Sequence, residues 1–168
     1  YDISGLSNLL TIGGSLQINS SLSLTSLDLF DNLTTIPGNI MIISNYNLAN
    51  LAGLENITSI GGYVWLFDNE TLEDVNGLSS VSSIGGNLII DDNNSLSNLS
   101  GLTNLVSFGG NINIIGNSIT SLIGLENIDA ESIGSLSIYD NYFLSECEVN
   151  SICDYLAAPN GTVEIHNN

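Results

Sequence analysis

Short stretches in which large apolar and other residues alternate return along this chain at nearly constant spacing. "IGGYVWLFDN" begins at Ile60, and the same outline comes back as "IGGNLIIDDN" from Ile84 and "FGGNINIIGN" from Phe108. The leading glycine, or the proline that replaces it, stands at Gly13, Pro37, Gly61, Gly85, Gly109 and Gly134, in steps of 24, 24, 24, 24 and 25 residues. Each pair is followed by five residues of period-2 alternation, the mark of a strand. This predicts strands over 15–19, 39–43, 63–67, 87–91, 111–115 and 135–139. The paired glycines are expected to supply a turn with positive φ. After each strand, apolar residues recur at every third position, as at Leu72, Val75, Leu78, Val81 and Ile84. That spacing is too short for an α-helix and predicts an extended or 3₁₀-like return path.

No single unit can bury its apolar face alone, so the units must stack in register. The expected fold is mainly β: a right-handed parallel β-solenoid of about seven coils of 24 residues, with neighbouring strands about 4.8 Å apart. Asn45, Asn69, Asn93, Asn117 and Asn141 then fall in line after their strands, with Asn168 in the last position. An inward Asn ladder of this kind can bind backbone groups left unpaired by the bend. Repeats occupy 1–143. The stretch 144–168 loses the three-residue spacing and reads as a cap in the same domain. In it, Asn150 or Ser151 caps a short helix through Ala158, Pro159 stops the helix, and "NG" at 160–161 turns the chain into a seventh strand, 162–166.

The stretches "GLENITSIGGYVWLFDN", "GLTNLVSFGGNINIIGN" and "CEVNSICDYLAAPNGTVEIHNN" resemble leucine-rich-repeat proteins. The likeness is greatest to the receptor L-domain-like repeats of secreted bacterial surface proteins of the Bacteroidetes kind. It covers essentially the whole chain. Two departures from the standard leucine-rich pattern are visible: the apolar residue comes three places after the Asn rather than two, except at Ile119, and Gly replaces the first strand-leading Leu. They favour the flattened solenoid of L-domains over a horseshoe with convex helices. The resemblance implies an exported, non-catalytic binding region within a longer chain. It also implies a further Cys after the cap, which this sequence lacks.

Composition narrows the function. The chain has 168 residues, 18 acidic residues and no Lys or Arg, for a formal net charge of −18. Conventional nucleic-acid binding, which needs cations to displace counterions from phosphate, is excluded, and docking on an anionic membrane is disfavoured. Stability must come from burial and hydrogen bonds, and the charge attracts cations. No apolar run approaches the length of a transmembrane helix. The chain opens on Tyr1 in mid-pattern, which is expected of a mature fragment of something longer.

Stacking aligns the outward positions into three columns. Their ends are polar, but the middle gathers Met41, Ile43, Tyr63, Trp65, Phe67 and Ile89, extended by Ile115 and Tyr139. An apolar patch with a polar rim on a soluble protein marks an interaction surface, and Trp and Tyr are enriched at binding hot spots. The primary expectation is therefore an extracellular, secreted or cell-surface recognition or adhesion module, not an enzyme, gripping a protein or glycan. The alternative is a structural subunit that buries this face against another copy in a surface layer or fibre. Asn87, Asp91 and Asn111 are the nearby polar groups a sugar would use.

The remaining chemistry is sparse. Cys147 and Cys153 are disulfide candidates, with each other or with a cysteine beyond Asn168, unless both are buried thiols. Asp68, Asp91, Asp92 and Asp140 follow or end strands. Calcium could relieve the repulsion of Asp68 and Asp92 on adjacent coils, and the bland alternative is solvated turn aspartates. No other cofactor is expected. His166 is expected to face outward without a nucleophile or orienting acid, and Glu126 and Glu131 read as solvated surface. Asn19, Asn32, Asn56, Asn69, Asn93, Asn98 and Asn160 lie in glycosylation sequons, of which Asn69 and Asn93 should be blocked by the ladder.

Overall fold

The computed structural model describes residue 6 and residues 8–168; residues 1–5 and 7 of the expected repeat region lie outside the described residues. The strands in chain order are β1 (Leu16–Asn19), β2 (Thr35–Ile36), β3 (Ile40–Ile43), β4 (Ser59–Ile60), β5 (Val64–Phe67), β6 (Ser83–Ile84), β7 (Leu88–Asp91), β8 (Ser107–Phe108), β9 (Ile112–Ile115), β10 (Leu136–Tyr139) and β11 (Val163–His166). Seven of them form one parallel sheet in the order β1-β3-β5-β7-β9-β10-β11, and four form a second in the order β2-β4-β6-β8. Leu16 pairs with Ile40, Ile40 with Val64, Val64 with Leu88, Leu88 with Ile112 and Ile112 with Leu136, each one repeat apart. The last step, Leu136 to Val163, spans the cap.

Alternation explains which way each strand faces. Ile40, Ile42, Val64, Leu66, Leu88, Ile90, Ile112, Ile114, Leu136 and Ile138 are buried, while their neighbours are half-buried on the other side. Each buried Leu or Ile contributes about 1.5–3 kcal/mol. The three-residue period has an equally local cause. Leu72, Leu78 and Val81 donate their N–H groups to the carbonyls of Asn69, Val75 and Leu78, three residues back, at 2.9–3.0 Å. Successive i to i+3 turns bring Leu72, Val75, Leu78, Val81 and Ile84 to the core together. Segments Asp28–Phe30, Asn76–Leu78, Ser100–Leu102 and Ala130–Ser132 are 3₁₀ helices. The short strands β2, β4, β6 and β8 were legible only as part of an extended path. They end at β8 because "NIDAES" puts a 3₁₀ turn in the next unit, where the Asp129 side chain accepts from the Glu131 N–H at 3.1 Å.

Three expectations are corrected. The glycine pairs do not adopt positive φ; among the described residues the positive-φ glycines are Gly53, Gly116 and Gly124. At the pairs the need is space, since a Cβ on Gly61, Gly85 or Gly109 would collide with the backbone carbonyl of the unit before. Because φ is not positive at the leading position, Pro37 can stand there. The left-handed bend lies after the strand instead, at Ser20, Ser44, Asp68, Asp92, Asp140 and Asn167, short polar residues that tolerate it. Second, the long strands begin one residue later than alternation predicts. The N–H groups of Asn39, Tyr63, Asn111 and Ser135 are taken by side-chain oxygens of Ser15, Asn39, Asn87 and Asn111 at 2.9–3.0 Å. This outward polar column is a second ladder.

The third correction concerns the cap. Its α-helix, α1, spans Asn150–Ala157, and Val149 occupies the N-cap without a side-chain bond. Asn150 lies inside the helix, and Ser151 is buried, its hydroxyl donating to the Leu125 carbonyl at 2.6 Å. Ile152 and Tyr155 are the buried side of the helix, and the Tyr155 hydroxyl donates to the Gly134 carbonyl at 2.6 Å. β11 is exposed on both faces, Val163 and Ile165 included.

The inward Asn ladder forms as expected. Asn45, Asn69, Asn93, Asn117 and Asn141 are buried. The Asn93 amide donates to the carbonyls of Leu66 (3.1 Å) and Asp91 (3.0 Å), and its oxygen accepts the Asn69 N–H at 3.1 Å. The others repeat this with a shift of one unit, and Asn168 closes the series by accepting from the Asn141 N–H and donating to the Ile138 carbonyl. No helix among the described residues is long and apolar enough to cross a membrane.

Candidate functional site

Register decides which outward side chains become neighbours. Met41 stands beside Trp65, Trp65 beside Ile89, and Ile89 beside Asn113. In the next row Ile43, Phe67, Asp91, Ile115, Tyr139 and His166 follow one another across the sheet. The structure thus brings all eight predicted apolar residues to one face. Each is half-buried, because its flanks rest on its neighbours while its outer surface stays open. The Tyr63 hydroxyl lies 2.9 Å from the Met41 sulfur, and the Trp65 and Phe67 rings meet at 5.8 Å with a 32° tilt. The Tyr139 and His166 rings stack at 4.7 Å and 12°, so His166 faces outward as expected.

Asp91 is the exception within this row. Phe67 and Ile115 flank it, and its Oδ1 is buried with no hydrogen-bond partner. Burial, reinforced by the neighbouring charge of Asp92, pushes its carboxyl up to about 7. The Trp65 Nε1 is likewise buried and unpartnered. Both residues line a shallow recess of about 350 Å³ whose other walls are Tyr63, Asn87, Ile89 and Asn113. The residues that carry an unspent acceptor and an unspent donor therefore line one apolar depression, with both atoms buried in its wall. The column arithmetic placed Asp91 between two apolar neighbours. What it could not show was that one Asp91 oxygen and the Trp65 indole N–H are both buried with no hydrogen-bond partner among the described residues.

Asp91 should make stability depend on pH. Between its ordinary value of 3.8 and about 7 the folded chain holds a proton that the unfolded chain has released. The stabilisation is complete at low pH and is lost as pH rises through about 7. With partial solvent screening, Asp91→Asn is expected to add on the order of 1–2 kcal/mol at pH 8 and little at pH 4. Urea unfolding of both proteins at the two pH values measures this, and an equal gain at both would assign it to another cause.

Residues 1–73 match the Receptor L domain family model. No curated protein and no solved structure matches the chain. The Receptor L domain match covers Met41, Ile43, Tyr63, Trp65 and Phe67, and the parallel strand register continues past it to Ile89, Asp91, Ile115 and Tyr139.

The other candidates are dispersed. The Asp68 carboxylate accepts from Ser44 (2.9 Å) and Tyr46 (2.8 Å), and Asp140 from Asn167 (3.0 Å). Asp68, Asp92 and Asp140 all occupy the left-handed bend, which accounts for their residue type. Among the described residues no group of three or more His, Cys, Asp or Glu is placed to hold a metal ion. Cys147 and Cys153 are exposed free thiols, and no bridge joins them. Glu126 accepts from the Gly124 N–H within its own turn, and Glu131 is exposed on a 3₁₀ turn.

Proposed function

We propose that this protein is an extracellular, non-catalytic recognition module that holds its partner on the outward face of the seven-stranded sheet. The reading rests on one observation: an apolar cluster around Trp65 that contains a buried donor and a buried acceptor, neither with a partner among the described residues. A surface that served only the fold would gain nothing from leaving both groups unpaired. The Receptor L domain match favours the same class, a ligand-binding module of extracellular type. The architecture that goes with this reading is a right-handed β-solenoid of about seven coils, on a secreted or cell-surface protein of the Bacteroidetes kind. No catalytic step and no cofactor belong to it.

Self-assembly is the second reading, favoured by a separate feature. Among the described residues β1 and β11 are the outermost strands of the sheet, and the inner-facing Val163 and Ile165 of β11 are exposed. Trp65→Ser distinguishes the two. Recognition predicts a monomer on size-exclusion chromatography with or without the substitution, together with a drop of at least tenfold in capture of the native partner. Assembly predicts an oligomer that the substitution dissolves.

A further inference from the structure

We propose that the recess between Trp65 and Asp91 seats an arginine side chain from a basic protein partner. This inference rests on the recognition reading above and names the chemistry of what is recognised. Four features point to it. The chain carries a net charge of −18 with no Lys or Arg, so its long-range field draws cationic surfaces and it contains no side chain of its own able to neutralise Asp91. Asp91, whose strand neighbours in register are Phe67 and Ile115, has a buried Oδ1 that accepts no hydrogen bond among the described residues. Tyr63 and Trp65, aromatic rings on which a guanidinium can stack, line the same recess. The Trp65 N–H has no acceptor among the described residues, and a turn of the half-buried ring presents it to a carbonyl of an extended partner segment.

Arginine fits these demands better than the alternatives. Its planar guanidinium donates to a carboxylate and lies flat on a ring at once, and it sheds water more readily than an ammonium group does. A second copy of the chain brings the same charge and no such group. A neutral sugar would look to the flanking amides for hydrogen bonds, yet the side-chain oxygens of Asn87 and Asn111 are already spent on the N–H groups of Asn111 and Ser135.

Trp65 is the chain's sole tryptophan, so intrinsic fluorescence reports on the recess itself. The experiment titrates the 168-residue protein with capped nona-arginine, nona-lysine and a neutral cello-oligosaccharide at 150 mM salt. The expected result is a saturable change in Trp65 emission with nona-arginine, at an affinity at least tenfold above nona-lysine. Asp91→Asn should weaken it at least tenfold. Glu73→Gln, which removes the same charge on the return path, should change it less than twofold. Circular dichroism confirms that both variants are folded. Equal effects of the two variants would mean diffuse attraction and overturn the proposal. So would equal affinity for the two peptides. A response to the oligosaccharide without one to nona-arginine would also overturn it, while leaving the recognition face standing. If Trp65→Ser leaves capture of the native partner unchanged, the recognition reading itself fails, whatever the peptides do.

Discussion

Asn93→Ala should lower the unfolding free energy by about 3–5 kcal/mol, seen as a large fall in the urea midpoint. The estimate comes from counting the groups the substitution strands. The Asn93 amide is donor to the Leu66 and Asp91 carbonyls, and its oxygen is acceptor for the Asn69 N–H and the Asn69 side-chain amide. Alanine offers none of these, and the site is sealed from water, with Asn93 itself 0% exposed. Each buried group left unpaired costs about 1–3 kcal/mol, with some relief from relaxation. Asn93→Asp sharpens the test. It keeps the shape and the acceptor but places a carboxyl beside two carbonyl oxygens, so the new group is held protonated in the folded state. Its folded value then lies above its unfolded one. The variant should be closest to wild type near pH 4 and lose stability as pH rises towards 8. A variant whose loss is the same at both pH values, or an alanine variant within 1 kcal/mol of wild type, would show that the ladder is not what ties adjacent units together.

The ladder was readable in the sequence because a buried Asn repeated at the stacking period has few other uses. The same is true of the core: alternation marked the inward Ile and Leu positions, and the three-residue spacing marked a path that the i to i+3 bonds then explain. Where the reading failed, the cause was a choice between two physical roles for one residue type. Glycine serves either an unusual φ or a close approach, and the string "IGG" does not say which; the structure assigns close approach. An outward Asn serves either solvent or a neighbour's N–H, and only register reveals that Asn39, Asn87 and Asn111 serve the neighbour. At the recess, the residue types of Trp65 and Asp91 were plain, and their alignment followed from the repeat. Their unpaired atoms depend on rotamers, which the sequence does not carry.

Gly77→Ala tests the opposite side of the molecule and should be nearly as damaging, at about 2–3 kcal/mol. Gly77 lies in a 3₁₀ turn with an ordinary φ, so alanine suits its backbone locally and even reduces the entropy of the unfolded chain. On local grounds the substitution should stabilise. What forbids it is the preceding unit: an added Cβ falls well inside 3.0 Å of the Leu51 carbonyl, where real Cβ contacts essentially never lie. Gly53 and Gly101 meet Leu27 and Val75 in the same way, so a column of glycines sets the spacing of units along the return path. The obstructing atoms are backbone and cannot rotate aside; relief requires the units to separate, which opens the contacts of Leu51, Val75 and Leu78 in the core. Gly13→Ala is the control, because nothing lies within 4 Å of its added Cβ, and it should stay within about 0.5 kcal/mol of wild type. Thermal unfolding of the two variants side by side decides the matter. Equal Tm values would mean that the return path has slack and that spacing is set by the sheet alone. A loss confined to Gly77→Ala would place the control of spacing on the glycine column, opposite the face that carries Trp65.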